Sequence, residues 1–319
     1  MDEKQKSVEI SIVIPIYNEE ANLKELHTKL IGIIPSITEN YEIIFVDDAS
    51  TDDSFGILKE INKEDKKVKV IKFRRNFGQS AAISAGFDHS KGDVIITMDG
   101  DLQNDPEDIP KLLEKLEKED YDVVCGWRFD RADSVLKKAF SRMANRLRRR
   151  FTAEDIHDSG CTLRVYKKEC LYDLELYGEM HRYIPALLLW KGYKIGEAKV
   201  RHHKRMYGKT KYTWKRVVKG FLDLTVVIFW QKFSARPIHI FGGLGLVLSI
   251  VGGIVGLYLV ISRLFFGVSL TDRPLFMVAI FMVVIGSQFV VSGVLADIML
   301  KVYYGLNERK QYLVEAMVE

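Results

Sequence analysis

The sequence predicts an α/β domain built on a doubly wound, mostly parallel sheet, followed by amphipathic interface helices and a two-helix transmembrane hairpin. Three observations carry this. Short β-branched runs at 9–16, 41–46, 68–73, 94–98 and 121–126 alternate with helical patterns, as parallel strands with crossover helices do. Residues 213–236 mix apolar side chains with Lys and Arg, and Trp214 and Trp230 suit headgroup depth. Two long apolar stretches, about 238–261 and 275–298, can each cross a bilayer, and the short connection between them makes a hairpin.

The first strand, 9–16, runs into Tyr17-Asn18-Glu19-Glu20 and then a helix to about residue 34. Leu23, Leu26, Leu30 and Ile33 fall at helical spacing. Pro15 suits a strand end, where no ladder donor is needed. The second strand ends in Asp47-Asp48-Ala49-Ser50-Thr51-Asp52. Ser50 to Asp53 read as the cap of the next helix, which leaves one carboxylate placed to accept from a nucleoside. The third strand meets the basic turn Arg74-Arg75-Asn76-Phe77-Gly78-Gln79 at the start of a small-residue helix, 80–89. That is an anion site or an ordinary βα turn with equal warrant.

The organising stretch is 94–106, a buried strand ending in Asp99-Gly100-Asp101-Leu102-Gln103. Ligands of open α/β sheets bind where strands end. Two carboxylates there can hold a divalent cation, and the cation a diphosphate; the plainer reading is an Asp-Gly turn. No GxGxxG follows the first strand, so a dinucleotide site is not indicated. Pro106, with Glu107 and Asp108, marks a helix start.

Beyond the strand at 121–126 lies Arg128. The helix 134–150 is dense in Lys and Arg over an apolar stripe, as suits an anionic membrane surface or a solvated basic face. Asp158-Ser159-Gly160 precedes a short strand at 162–166. Residues 201–212 hold five basic residues and two histidines around Gly208, which points to phosphate binding. Zinc is disfavoured because adjacent histidines diverge on a strand. Nucleic acid is disfavoured because no recognised module accompanies the basic run.

Overall the 319 residues are 47% hydrophobic, but the average hides a soluble-type part to about 215 and a nearly all-apolar part from 237 to 300. The net charge of +4 is small, so the local basic clusters matter more than the total. Cys125, Cys161 and Cys170 are odd in number, without metal-ligand spacing, and read as buried thiols of a reducing compartment. The N-terminus has no apolar h-region, so no signal peptide is expected. Basic residues before the first span and after the second (Lys301, Arg309, Lys310) put both ends in the cytoplasm of a plasma-membrane protein. Gly242, Gly245, Gly252, Gly253 and Gly256 would permit close helix packing and self-association as a homo-oligomer.

Taken in order, Val13-Ile-Pro-Ile-Tyr-Asn-Glu-Glu20, Val46-Asp-Asp-Ala-Ser50, Asn76-Phe-Gly-Gln79, Asp99-Gly-Asp-Leu-Gln103, Asp158-Ser-Gly-Cys-Thr-Leu-Arg164 and Arg205-Met-Tyr-Gly-Lys-Thr-Lys-Tyr212 resemble the family 2 glycosyltransferases of the polyprenyl-phosphate type. That group includes dolichyl-phosphate mannose synthases, and the chain is most like the bacterial undecaprenyl-phosphate glucosyl and aminoarabinose transferases. Each motif alone is weak; the ordered set and the membrane hairpin make the resemblance specific over nearly the whole chain. It implies a GT-A catalytic domain over residues 1–212, interface helices over 213–236, the hairpin over 237–300 and a cytoplasmic tail over 301–319.

The resemblance implies inverting transfer of one hexose from a nucleotide sugar, UDP favoured over GDP, to polyprenyl phosphate. It implies a nucleoside pocket of Pro15, Tyr17, Glu19 and Asp48. Asp99, Asp101 and Gln103 would hold Mg²⁺ or Mn²⁺ and the diphosphate, with Gly100 between them where Ala is common. Arg128, Arg205 and Lys211 would hold phosphates. Asp101 and Asp158 are the catalytic candidates, although a phosphate acceptor, already largely a dianion at neutral pH, does not strictly need a general base. Two alternatives are a processive polysaccharide synthase, whose Gln-x-x-Arg-Trp motif is not found here, and a non-catalytic binding protein, which would not need the full carboxylate set.

Overall fold

The structure, a computed structural model, describes residues 8–129, 156–172, 174–203, 238–267, 269, 273–305 and 314–318. The basic helix expected at 134–150, the interface segment 213–236, Arg205 and Lys211 lie outside the described residues. In chain order the elements are β1 (Ile10–Ile16), α1 (Leu23–Ile33), β2 (Tyr41–Asp47), α2 (Ser54–Glu64), β3 (Val68–Phe73), α3 (Gln79–His89), β4 (Val94–Thr97), α4 (Ile109–Lys118), β5 (Val123–Arg128), β6 (Arg164–Lys167), α5 (Ile184–Trp190), β7 (Ile195–Val200), α6 (Ile238–Phe266), α7 (Pro274–Gly305) and β8 (Val314–Val318).

The strands form one sheet in the order β7-β5-β6-β4-β1-β2-β3-β8. Four of its seven pairings are parallel; β6 runs antiparallel to both β4 and β5, and β8 antiparallel to β3. Alternation along β1 explains the layering. Ile10, Ile12, Ile14 and Ile16 pack with Leu23, Leu26 and Leu30 of α1, Leu58 and Ile61 of α2 and Leu112 of α4. Val13 faces the other way, into a core with Ile83 of α3 and Ile184 and Leu188 of α5. Helices on both faces are why β1 and β2 read as nearly unbroken apolar runs rather than alternating ones. Cys125, Cys161 and Cys170 are buried thiols, and burial pushes Cys161 up to about 11 and Cys170 to about 12.

The chain divides into two compact units, Met1–Val227 with Lys310–Glu319, and Ile228–Arg309. The segment read as a tail thus supplies β8, an edge strand of the sheet in the first unit. In the second unit, α6 and α7 contain two stretches long and apolar enough to cross a membrane. Only 17% and 11% of their most apolar windows are buried, the reverse of a soluble core hairpin. Of the glycines expected to allow close packing, Gly245 does so directly. A methyl group there would come 2.4 Å from the carbonyl oxygen of Gly286, so the two backbones touch across small residues.

Candidate active site

The ends of β1 and β2 are laced together. The Asp48 amide donates to the Ile16 carbonyl at 2.8 Å, Asn18 N–H to Ser50 Oγ at 3.0 Å, Thr51 N–H to Asn18 Oδ1 at 2.7 Å and Glu19 N–H to Ser54 Oγ at 3.0 Å. Asn18 and Ala49 both take the left-handed backbone region, with φ of 56° and 57°. Such strain in non-glycine residues persists only where surroundings enforce it, often at ligand sites. The lacing also corrects an expectation. Within the Ser/Thr/Asp cluster it is Asp52 whose Oδ1 accepts from Ser54 N–H at the start of α2, at 3.1 Å, while Asp53 at the N-cap makes no side-chain cap bond. Ser50 and Ser54 are instead taken by the loop after β1.

Pro15 and Glu19 are half-buried and Tyr17 is exposed on this rim. Asp48 is buried, and both its oxygens are engaged: Oδ1 accepts from Phe77 N–H at 2.6 Å and Oδ2 from Gly78 N–H at 2.9 Å. The carboxylate therefore fastens the basic turn after β3 to the end of β2. Gly78 makes this possible, since its φ of 94° and ψ of 163° are open essentially to glycine alone. Neighbouring Asp47 differs. Its Oδ1 accepts from Ser50 N–H at 3.1 Å, while its buried Oδ2 has no hydrogen-bond partner among the described residues. Burial raises the pKa of both carboxyls.

The turn after β4 holds the carboxylate pair. Asp99 Oδ1 accepts from Gln79 Nε2 of α3 at 2.8 Å. Burial, and then the charge of Asp101, push the Asp99 carboxyl up to about 6. Asp101 is also buried and accepts from Gln103 N–H at 3.1 Å, across Leu102 with a left-handed φ of 60°. Gly100 packs on β1, where a methyl group would meet Ile16 Cδ1 at 2.4 Å. The same turn receives the start of the basic loop. His203 N–H donates to Gln103 O at 2.9 Å, His203 Nε2 lies 3.0 Å from Asp105 Oδ2, and Arg201 N–H donates to Asp108 Oδ2 at 2.6 Å. His202 Nε2 lies 3.5 Å from Gln103 Nε2.

Because β6 runs antiparallel to β4, with Thr97 opposite Arg164, the residues just before β6 lie at the same sheet end as the carboxylates. This explains how Asp158 reaches Arg128 at the end of β5. Arg128 Nε donates to Asp158 Oδ2 at 2.6 Å and Nη2 to Oδ1 at 2.8 Å. The side chains are only 13% and 8% exposed, so this is a buried two-pronged ion pair. Glu197 of β7 accepts from the N–H groups of His157 at 2.7 Å and Asp158 at 3.1 Å, which fixes the turn.

One sheet end thus gathers Pro15, Tyr17, Glu19, Asp48, Asp99, Gly100, Asp101, Gln103, Arg128 and Asp158, while Arg205 and Lys211 lie outside the described residues. Sequence reasoning missed Gln79, although it stood within the Asn76-Phe-Gly-Gln79 motif, and set Asp47 aside for Asp48. No group of three or more His, Cys, Asp or Glu among the described residues is arranged to hold a metal. The donors present still fit a hard divalent cation whose shell diphosphate oxygens complete: two carboxylates lie on one turn, and burial together with the charge of Asp101 raises Asp99 to about 6.

The Glycosyl transferase family 2 profile matches residues 11–174. A dodecaprenyl-phosphate galacturonate synthase of Rhizobium johnstonii is 37% identical over 98% of this chain and 94% of its own length. An undecaprenyl-phosphate 4-deoxy-4-formamido-L-arabinose transferase of Klebsiella pneumoniae is 36% identical over 97% and 93%. Among solved structures, glucosyl-3-phosphoglycerate synthase of Mycobacterium tuberculosis, crystallised with Mn²⁺, UDP and phosphoglyceric acid, shares the fold with a TM-score of 0.52 at 18% identity, over 70% of this chain and 78% of its own. With relatives this similar end to end and the carboxylate pair on the strand ends, the chain belongs to glycosyl transferase family 2 and is a glycosyltransferase of its polyprenyl-phosphate group.

Proposed function

We propose that this enzyme transfers a single hexose, with inversion, from a nucleoside diphosphate sugar to a polyprenyl phosphate at the cytoplasmic membrane face, with UDP favoured as the carrier. The observation that carries the reading is the convergence of the Asp99–Asp101 pair and the Arg128–Asp158 pair on one sheet end. The relatives' names supply the acceptor class, and the UDP in the structural neighbours favours the uridine donor.

Asp99, Asp101 and Gln103 would hold Mg²⁺ or Mn²⁺, which offsets charge growing on the leaving diphosphate. The nucleoside would lie across the ends of β1 and β2, against Pro15, Tyr17, Glu19, Asp48 and the Asp47 Oδ2, which has no hydrogen-bond partner among the described residues. Arg128 presents positive charge beside that pocket, and Arg205 and Lys211 would add to it, so that two anions can meet despite their repulsion. Asp158 is committed by both oxygens to Arg128. Its role is to aim the guanidinium, and the phosphate dianion attacks without needing its proton removed. That β8 shares a sheet with β1–β7 supports the reading that both ends of the hairpin lie on one side of the membrane. The test is the product's anomeric configuration by NMR, with Asp101→Ala alongside. Inverted sugar phosphate from the wild type and none from the variant is expected; retained configuration overturns the inversion, and full transfer by the variant overturns the metal site.

A further inference from the structure

Arg164, on β6, has no place in the chemistry above, yet it is among the most buried charges in the molecule, at 3% exposure. No carboxylate among the described residues forms an ion pair with it. Its guanidinium instead donates to two main-chain carbonyls. Nη1 reaches His181 O at 2.9 Å, and Nη2 reaches Ser159 O at 2.5 Å. Burying a cation with no carboxylate paired to it is costly, and an apolar side chain would fill much of the space without that cost. What the arginine does is join two segments. Ser159 follows Asp158 directly. His181 belongs to a short 3₁₀ turn (Met180–Tyr183), and it is tied in turn to Ser80 of α3: its N–H donates to Ser80 Oγ at 3.1 Å, and Nδ1 lies 2.9 Å from the same oxygen. The residue before Ser80 is Gln79, whose amide holds Asp99.

A chain of hydrogen bonds and adjacent residues, centred on the buried Ser80, His181 and Arg164, therefore runs from the carboxylate pair to the arginine–aspartate pair: Asp99, Gln79, Ser80, His181, Arg164, Ser159, Asp158, Arg128. We propose that Arg164 is a positioning residue that sets the Asp158 turn, and through it the direction of Arg128, relative to the donor carboxylates. The inference rests on the reading that Arg128 serves sugar transfer. It assigns Arg164 and Ser80 a kinetic role although neither faces the open site.

Arg164→Lys keeps the charge but presents a single ammonium in place of the two-pronged fork. The experiment is a double-mutant cycle on transfer by the full-length enzyme, with Arg164→Lys, Arg128→Ala and the pair, and thermal unfolding of each. We expect Arg164→Lys to lower kcat/KM by about tenfold or more, since misplacement near 1 Å can cost about a hundredfold. In the Arg128→Ala background the same change should have no further effect, because its route of action is gone. Equal fold losses in both backgrounds would make Arg164 merely structural and overturn the proposal, as would an unchanged kcat/KM. If Arg128→Ala itself transfers at the wild-type rate, the underlying reading of the site fails instead. Ser80→Ala, a small change in the same chain, gives the same comparison should Arg164→Lys not fold.

Discussion

Asp158 and Arg128 offer the sharpest energetic prediction. The perturbation is Asp158→Ala, which leaves the Arg128 guanidinium buried with two lost acceptors. At 13% and 8% exposure the pair is far from a surface bridge, for which about 0–1 kcal/mol would be expected. Removing one partner of a buried pair costs about 3–5 kcal/mol. For a domain of this size each kcal/mol moves Tm by about 2–4 °C, so a drop near 10 °C follows. Replacing both residues, Arg128→Met with Asp158→Leu, removes the stranded charge and should recover most of that loss. The assay is calorimetry of the detergent-solubilised protein at neutral pH. Asp158→Ala within about 1 kcal/mol of the wild type, or a double variant as unstable as its singles summed, would refute the buried-pair account.

Other predictions follow from the same sheet end. Gly78→Ala forces a methyl-bearing residue into a backbone region open to glycine, and should cost about 1–3 kcal/mol by thermal unfolding while weakening UDP binding by calorimetric titration. The Asp99 carboxyl titrates near 6 when folded against 3.8 when unfolded, so the folded state holds the extra proton between those values. Its destabilising effect is present above about 6 and fades as pH falls toward 3.8. The metal-free protein should therefore gain stability from this group between pH 7 and 5, with Asp47 and Asp48 adding in the same direction. Mn²⁺ affinity should weaken over the same range, because the ion must displace that proton. In the hairpin, Gly245→Leu should force α6 and α7 apart, read as a loss of yield and of thermal stability in detergent.

Much of this was legible in the sequence where one residue's surroundings are set by its own strand. Periodicity located β1 to β5, α1, α3 and the starts of both apolar helices to within a few residues, while α6 and α7 run on to Phe266 and Gly305. The strands β7 and β8 were not foreseen. Ile195–Val200 is interrupted by Gly196 and carries Glu197 and Lys199, and Val314–Val318 is five residues in a charged segment. Their strand character comes from the sheet edges they join. The carboxylate pair was readable because it lies on one turn. The Arg128–Asp158 pair was not, because it depends on β6 reversing direction and returning the chain across thirty sequence positions. Likewise the strand pattern places Asp48 at the end of β2, but only the tertiary structure shows its oxygens holding Phe77 and Gly78.

The central claim is tested most directly by a transfer assay with the purified enzyme in detergent. It would receive a short-chain polyprenyl phosphate, Mn²⁺ or Mg²⁺, and a panel of labelled UDP- and GDP-sugars, with and without EDTA. The account predicts one UDP-sugar that labels an organic-extractable lipid, with the label lost on chelation. A long water-soluble polymer from any donor, or binding of a donor without transfer to lipid, would contradict it.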